Sequence, residues 1–333
     1  TVLDKCERVS QLSRQIAEQV PANPAHCMRA AELSKCDLVT SMVGEFADLQ
    51  GLMGSYYAAN DGEAPEVAQA IHEQYQPRFA GDDLPASETG AILAVADKLD
   101  TMVGLFGIGQ PPTGSKDPFA LRRSAIGILR ILVEKPLELD LKWLIRASVE
   151  SFPDDLLLAD TGDKVFEFIL ERFRAWYLDE GISSEEFQSV FALRPSRPLD
   201  FHRRIQAVHA FALRPEAQSL AAANKRVANI LSKQDSAAVE PKLSESLLQE
   251  SAEKALHAAI IDKESEVAPY LKQGDYQKGL TLLAELKPAI DGFFDEVLVM
   301  AGDEAVRDNR LALLAKLQSL FLNLADISYL SKS

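Results

Sequence analysis

Cysteine is scarce. The 333 residues hold only Cys6, Cys27 and Cys36, and no two of them form a Cys-x-x-Cys pair. That argues against a disulfide framework and for reduced thiols in a cytoplasmic protein. No apolar run approaches membrane-spanning length, so no membrane partner is expected, and Thr1 to Arg8 lacks the basic and apolar regions of a secretion signal. Aromatics make up 7% of the chain, with no aromatic-rich strand pair of the kind an RNA-recognition sheet needs. Positive charge is in deficit: 35 Lys and Arg against 50 Asp and Glu give a net charge of −15. A uniformly acidic surface repels phosphates, which excludes a non-specific polyanion binder and makes DNA an unexpected partner. Histidine occurs five times and never before an aspartate, and no motif fixes a serine or cysteine nucleophile on a strand-to-helix elbow. No catalytic residue is assigned.

What the chain does have is helical periodicity almost throughout, which predicts an all-α protein of two or three domains. Helices are expected over 1–20, with Cys6, Val9, Leu12 and Ile16 on one stripe, and over 26–59, with a break near Gly51 or Gly54. Further helices are expected over 67–75, 89–106 and 119–133, and Lys135-Pro136 closes a first region, 1–136. A middle region, 137–236, carries amphipathic stretches at 143–149 and 164–179. Ser183 and Glu186 stand at capping-box spacing, a helix holds His202 to Arg204, and another follows Pro215. Gln234 to Pro241 reads as the linker to a last region, 237–333, with helices over 243–261, 267–271, 276–286, 289–300 and 304–330.

Within this acidic chain lie two basic islands. Arg194, Arg197, Arg203, Arg204 and Arg214 stand against Asp200 alone, and Lys116, Arg122, Arg123, Arg130 and Lys135 stand against Asp117 and Glu134. Such islands suit a selective RNA binder, and equally the solvated faces of ordinary helices. The segment from Gly109 to Arg123 is the sharpest signal. Asp117 reads as an N-cap and Pro118 as the first helical residue, so Lys116, Arg122 and Arg123 surround a helix N-terminus suited to a phosphate. Gly109 and Gly114 have P-loop spacing, but Ser115-Lys116 reverses the required order and a helix precedes the loop where a P-loop needs a strand, so an ATPase is rejected. His202 and His209, seven residues apart beside arginines, suit an RNA-facing or solvated helix face better than a metal site.

Three blocks carry a family resemblance: Lys35-Cys-Asp-Leu-Val-Thr-Ser-Met through Gly51-Leu-Met-Gly-Ser-Tyr-Tyr-Ala58, Ala96-Asp-Lys-Leu-Asp100, and Pro112-Thr-Gly-Ser-Lys-Asp-Pro-Phe-Ala-Leu-Arg-Arg123. With Ala223-Asn-Lys-Arg-Val-Ala-Asn-Ile-Leu231, Arg307-Asp-Asn-Arg-Leu-Ala-Leu-Leu-Ala315 and Ala325-Asp-Ile-Ser328, their order resembles the beta subunit of the bacterial-type, two-subunit glycyl-tRNA synthetases. That subunit is longer, so the chain resembles its C-terminal half. The resemblance implies an HD-like helical domain over 1–136, a helical linker region over 137–236 and an anticodon-binding-type bundle over 237–333. It also implies a ligase subunit in the cytoplasm whose partners are glycine tRNA and an alpha subunit. Glycine activation with ATP and Mg²⁺ would then occur on the alpha subunit, with no cofactor here.

On this reading Lys116, Arg122, Arg123, Arg203, Arg204, Lys225 and Arg226 are candidates for tRNA phosphates. Asn224, Asn229, Arg307, Asn309 and Arg310 are candidates for sugar or base-edge contacts, because amide and guanidinium groups read unstacked bases. The alternative is an HD-type metal-dependent nucleotide phosphohydrolase. Those enzymes need a His-Asp pair, and here Cys36-Asp37 falls in its place, with Asp97 or Asp100 as the later carboxylate and His26 and His72 nearby. No metal site is expected.

Overall fold

The computed structural model describes residues 1–233 and 243–331. Among these residues there is no strand. The chain is helical, as the periodicity predicts, apart from an isolated antiparallel bridge between Thr113 and Lys116. The expected linker at 234–241 lies outside the described residues. The chain divides into two compact units: Thr1–Trp176 with Ser196–Leu199, and Tyr177–Pro195 with Asp200–Ser333.

The first unit is built around the helix Glu88–Gly107. Ser87 caps its start by accepting from the Gly90 amide, and nearly all its side chains are buried, including Ile92, Leu93, Leu99, Met102 and Val103. A helix that is apolar on most of its surface has to be enclosed. Around it pack the helices Val2–Ala17, Pro24–Leu33, Pro65–Glu73, Leu121–Glu134, Leu141–Glu150 and Thr161–Leu170. Gly90 and Gly107 allow close approach, since a Cβ there would collide with Glu73 and Leu157. The helix expected over 1–20 runs Val2–Ala17, and Thr1 and Asp4 close a capping box.

Two of the expected helical regions divide further. The region 26–59 is not one helix with one break but a chain of short elements, Pro24–Leu33, Cys36–Val39, Ser41–Glu45, Ala47–Leu49 and Leu52–Asn60. Thr40, Phe46 and Gly51 leave helical geometry between them, and Gly51, at φ +81°, presses against the Tyr75 ring, where a side chain would not fit. The region 164–179 splits at Glu171 into Thr161–Leu170 and Arg172–Asp179.

In the second unit the helices Ser251–Gln273, Tyr276–Leu283, Lys287–Glu296 and Glu304–Leu322 pack with Ala217–Leu231 around Leu220, Val227, Leu256, Ile260, Leu283, Phe293, Leu313, Leu314, Leu317 and Phe321. The expected helix over 243–261 starts only at Ser251, after the short turn Glu245–Leu247, and from there runs on through 267–271 as one helix, Ser251–Gln273. Asp262 to Glu266 continues it because these polar residues keep helical propensity on an exposed face, and Pro269 is accommodated within it. Gly274 ends it in the left-handed conformation, φ +71°. The last helix stops at Leu322 rather than reaching Leu330. The Asp326 carboxylate then takes the Ser328 amide and starts the short turn Ile327–Leu330. The Ser183–Glu186 capping box forms as its spacing predicts.

Candidate nucleic-acid interface

The helix Ala217–Leu231 separates its residues cleanly. Ala217, Leu220, Ala221 and Val227 face the core, while Lys225, Arg226 and Asn229 lie on or toward the surface. Lys225 makes no hydrogen bond or ion pair among the described residues. The Arg226 guanidinium carbon lies 4.1 Å from the centroid of the Phe294 ring, an arrangement that orients the cation without neutralising it. Lys225, Arg226 and Asn229 line a cleft of about 640 Å³ together with Lys233 and Met300, and no carboxylate lines it among the described residues. Its chemistry suits a phosphate against the cations and an apolar or base surface against Met300, which is 53% exposed. Sequence reading missed Lys233, Phe294 and Met300, because nothing local marks residues brought together from separate helices.

Other candidates in this unit turn inward. Asn224, a candidate for a sugar or base-edge contact, is instead 4% exposed, and its amide donates to the Leu220 carbonyl at 2.9 Å. Asn309 is buried and clamps Ser244, accepting from its amide at 2.7 Å and donating to its carbonyl at 3.1 Å. Arg310 is buried against Glu253, Nε to Oε1 2.5 Å, and also donates to the Leu298 carbonyl. Arg204 spends its donors on Asp200, the Asn323 and Leu324 carbonyls and the Tyr276 hydroxyl. Arg203 is half-buried and follows the Gly274 turn, where a Cβ would sit 3.1 Å from its Nη1. Arg307 is half-buried between Glu304 and Asp308, at 3.4 and 3.5 Å. His202 shares a hydrogen bond with Tyr177, and His209 lies 3.2 Å from Glu186.

In the first unit the helix expected from Phe119 begins at Leu121, after Ala120 in the left-handed region, φ 53°. Asp117 does cap it, though from farther back: Oδ1 accepts from the Leu121 amide at 2.8 Å and Oδ2 from the Arg122 amide at 3.0 Å. The anion expected at this helix start is therefore the chain's own carboxylate. Arg122 folds back to the Gly114 carbonyl at 2.7 Å, Arg123 reaches the Arg78 carbonyl at 3.1 Å, and Lys116 is exposed. Arg123 remains exposed and lines a second cleft.

The carboxylates that a hydrolytic centre would need are otherwise engaged. Asp37, 1% exposed, accepts from the Gly51 amide at 2.6 Å and the Gly54 amide at 3.2 Å. Asp97 lies 3.2 Å from both Lys5 and Lys35, and Asp100 takes a two-pronged contact from Arg8. Burial alone would push the Asp97 carboxyl up, yet the three nearby lysines, 35, 5 and 98, hold it well below the usual range. No group of three metal-ligating side chains gathers among the described residues. These contacts give the phosphohydrolase alternative no support, and nothing among the described residues is long and apolar enough to cross a membrane as a helix.

Comparison with known proteins agrees with this layout. Residues 1–192 match the family described as glycyl-tRNA synthetase beta subunit, and residues 220–332 match the DALR anticodon binding domain. The glycine–tRNA ligase beta subunit of Marinobacter nauticus is 53% identical over 330 residues, which is 99% of this chain and 48% of the relative. That of Pseudomonas aeruginosa is 54% identical over the same shares, and that of Chromohalobacter salexigens 53% identical over 332 residues, 100% of this chain and 48% of its own. The chain spans about half the length of the curated relatives it matches. With the first 192 residues matched and more than half of the positions identical to each of these relatives, the chain belongs to the glycyl-tRNA synthetase beta subunit family.

Proposed function

We propose that this chain is the tRNA-binding part of a glycine–tRNA ligase beta subunit, and that it positions glycine tRNA for aminoacylation at a separate alpha subunit in the cytoplasm. The observation that carries the reading is the overlap of the anticodon-binding match, 220–332, with the cleft of Lys225, Arg226, Asn229 and Lys233, which no carboxylate lines among the described residues. Uncommitted cations on a rigid helix attract a phosphate backbone, and their confinement to one face lets an acidic protein bind RNA without binding every polyanion. Phosphates of the anticodon arm rest on Lys225, Arg226 and Lys233, Asn229 supplies an amide for a sugar or base edge, and Met300 offers apolar contact to a base. In the first unit, Lys116 and Arg123 are the exposed cations that meet RNA elsewhere. Arg203 and Arg307 are half-buried and contribute less, whereas Arg122, Arg204, Asn224, Asn309 and Arg310 hold the backbone and the bundle in shape. Activation of glycine with ATP and Mg²⁺ belongs to the alpha subunit, and this chain supplies recognition.

Binding of the chain to glycine tRNA and to an unrelated tRNA, at two salt concentrations, tests the proposal. Preferential, salt-sensitive binding supports it, and equal affinity for both RNAs overturns the claim of selectivity.

A further inference from the structure

A second cleft, of about 520 Å³, lies wholly within the first unit and is lined by Arg78, Lys98, Arg123, Tyr75, Ser124 and Asp48 among others. Three cations, Arg78, Lys98 and Arg123, line it beside the carboxylates of Asp48 and Asp97. The Arg78 guanidinium and the Ser124 and Tyr75 hydroxyls make no hydrogen bond or ion pair among the described residues. Lys98 is 8% exposed and donates to the Gln74 and Gln76 carbonyls at 3.1 and 2.7 Å, so one of its three N–H groups is uncommitted. Arg123 spends one nitrogen on the Arg78 carbonyl. Of the two carboxylates at the cleft, Asp97 is already neutralised by Lys5 and Lys35, which leaves Asp48 against three cations.

We propose that this cleft binds a phosphate monoester, with Lys98 at its floor and Arg78 and Arg123 at its mouth, and that a nucleoside monophosphate is the class of ligand it takes. Two guanidinium forks and an ammonium supply more charged donors than the cleft can satisfy internally, and a phosphate dianion is the acceptor that matches them. The volume falls within the range of small-ligand sites. The proposal does not rest on the tRNA reading, since a small anion fits here whether or not the chain binds RNA.

Titration calorimetry on the whole chain with inorganic phosphate, AMP and adenosine tests it. Saturable one-site binding of AMP and phosphate is expected, with adenosine weaker by at least about tenfold. Arg78→Ala combined with Arg123→Ala should weaken AMP by roughly a hundredfold while leaving the melting temperature close to the parent's, since both side chains are exposed. Lys98→Met is the second variant, read only if it melts like the parent. A short RNA with and without a 5′ phosphate separates the two sources of the group: tighter binding than AMP that depends on the phosphate identifies an RNA end, and weaker or equal binding identifies the free nucleotide. Absence of saturable binding, adenosine binding as well as AMP, or an unchanged affinity in the folded double arginine variant overturns the proposal.

Discussion

Arg310 and Glu253 face each other inside the second unit, Nε to Oε1 2.5 Å, with 6% and 0% of their side chains exposed. Burial alone would raise the Glu253 carboxyl, but Arg310 and the Glu250 and Gln249 amides hold it below its ordinary value. The pair fastens the helix Ser251–Gln273 to Glu304–Leu322, so an arginine that reads in the sequence as an RNA contact is a structural group. Glu253→Gln would leave a buried guanidinium without its counter-charge. A loss of about 3 kcal/mol in unfolding free energy by urea titration is expected, and a loss indistinguishable from zero would contradict the assignment.

Asp97 should make the protein sensitive to acid. Its folded carboxyl titrates below the ordinary value of 3.8, so the stability it contributes is complete above that value and is lost as pH falls below it. Asp97→Asn should therefore flatten the decline in urea midpoint measured between about pH 4 and about pH 2.5. A decline as steep as the parent's would show that Lys5 and Lys35 are not its partners in solution.

How much was legible in the sequence depended on the range of the interaction. The Glu88–Gly107 helix and the Ser183–Glu186 capping box are written in neighbouring residues, and both formed where the pattern placed them. Family blocks such as Ala223 to Leu231 were legible because they keep their order along the chain. The inward roles of Asn224, Asn309, Arg204 and Arg310 were not, since each depends on a partner supplied by the folded backbone, from Leu220 one turn away to Asn323 more than a hundred residues on. For the same reason Arg78 and Lys98 were invisible as a pair: each is unremarkable until the fold sets both on one cleft. Asp117 was read correctly as a cap and incorrectly as the residue next to the helix, because Ala120 in the left-handed region adds a turn that no propensity predicts.

Removing that cap should be felt locally. Asp117→Ala leaves the Leu121 and Arg122 amides without their acceptor and should cost about 1 kcal/mol. Hydrogen exchange at the first turn of Leu121–Glu134 is the direct readout, with faster exchange expected there than at the buried Glu88–Gly107 helix. Unchanged protection would mean that water or another side chain replaces the carboxylate.

The phosphate cleft should carry its own pH dependence. Lys98 faces Asp97, Lys35, Lys5 and Asp82, with Arg78 and Arg123 at the cleft, and burial pushes its ammonium down to about 8. AMP affinity should then fall as pH rises through about 8, where the free ammonium loses its proton, and Lys98→Met should abolish that fall. Calorimetry between about pH 7 and about pH 9 gives the profile, and a flat one would remove Lys98 from the ligand's contacts.

The central claim, that RNA lies against the exposed cations of the Ala217–Leu231 helix, is tested most directly by the salt dependence of glycine tRNA binding in Lys225→Ala, Arg226→Ala and Arg204→Ala. The first two should each reduce the slope of log affinity against log salt by roughly one without lowering the melting temperature. Arg204→Ala should lower the melting temperature, because it strips Asp200, Tyr276 and two carbonyls of a donor, and should leave the slope near the parent's. Parent-like slopes in both Lys225→Ala and Arg226→Ala would contradict the account and move the RNA to another face.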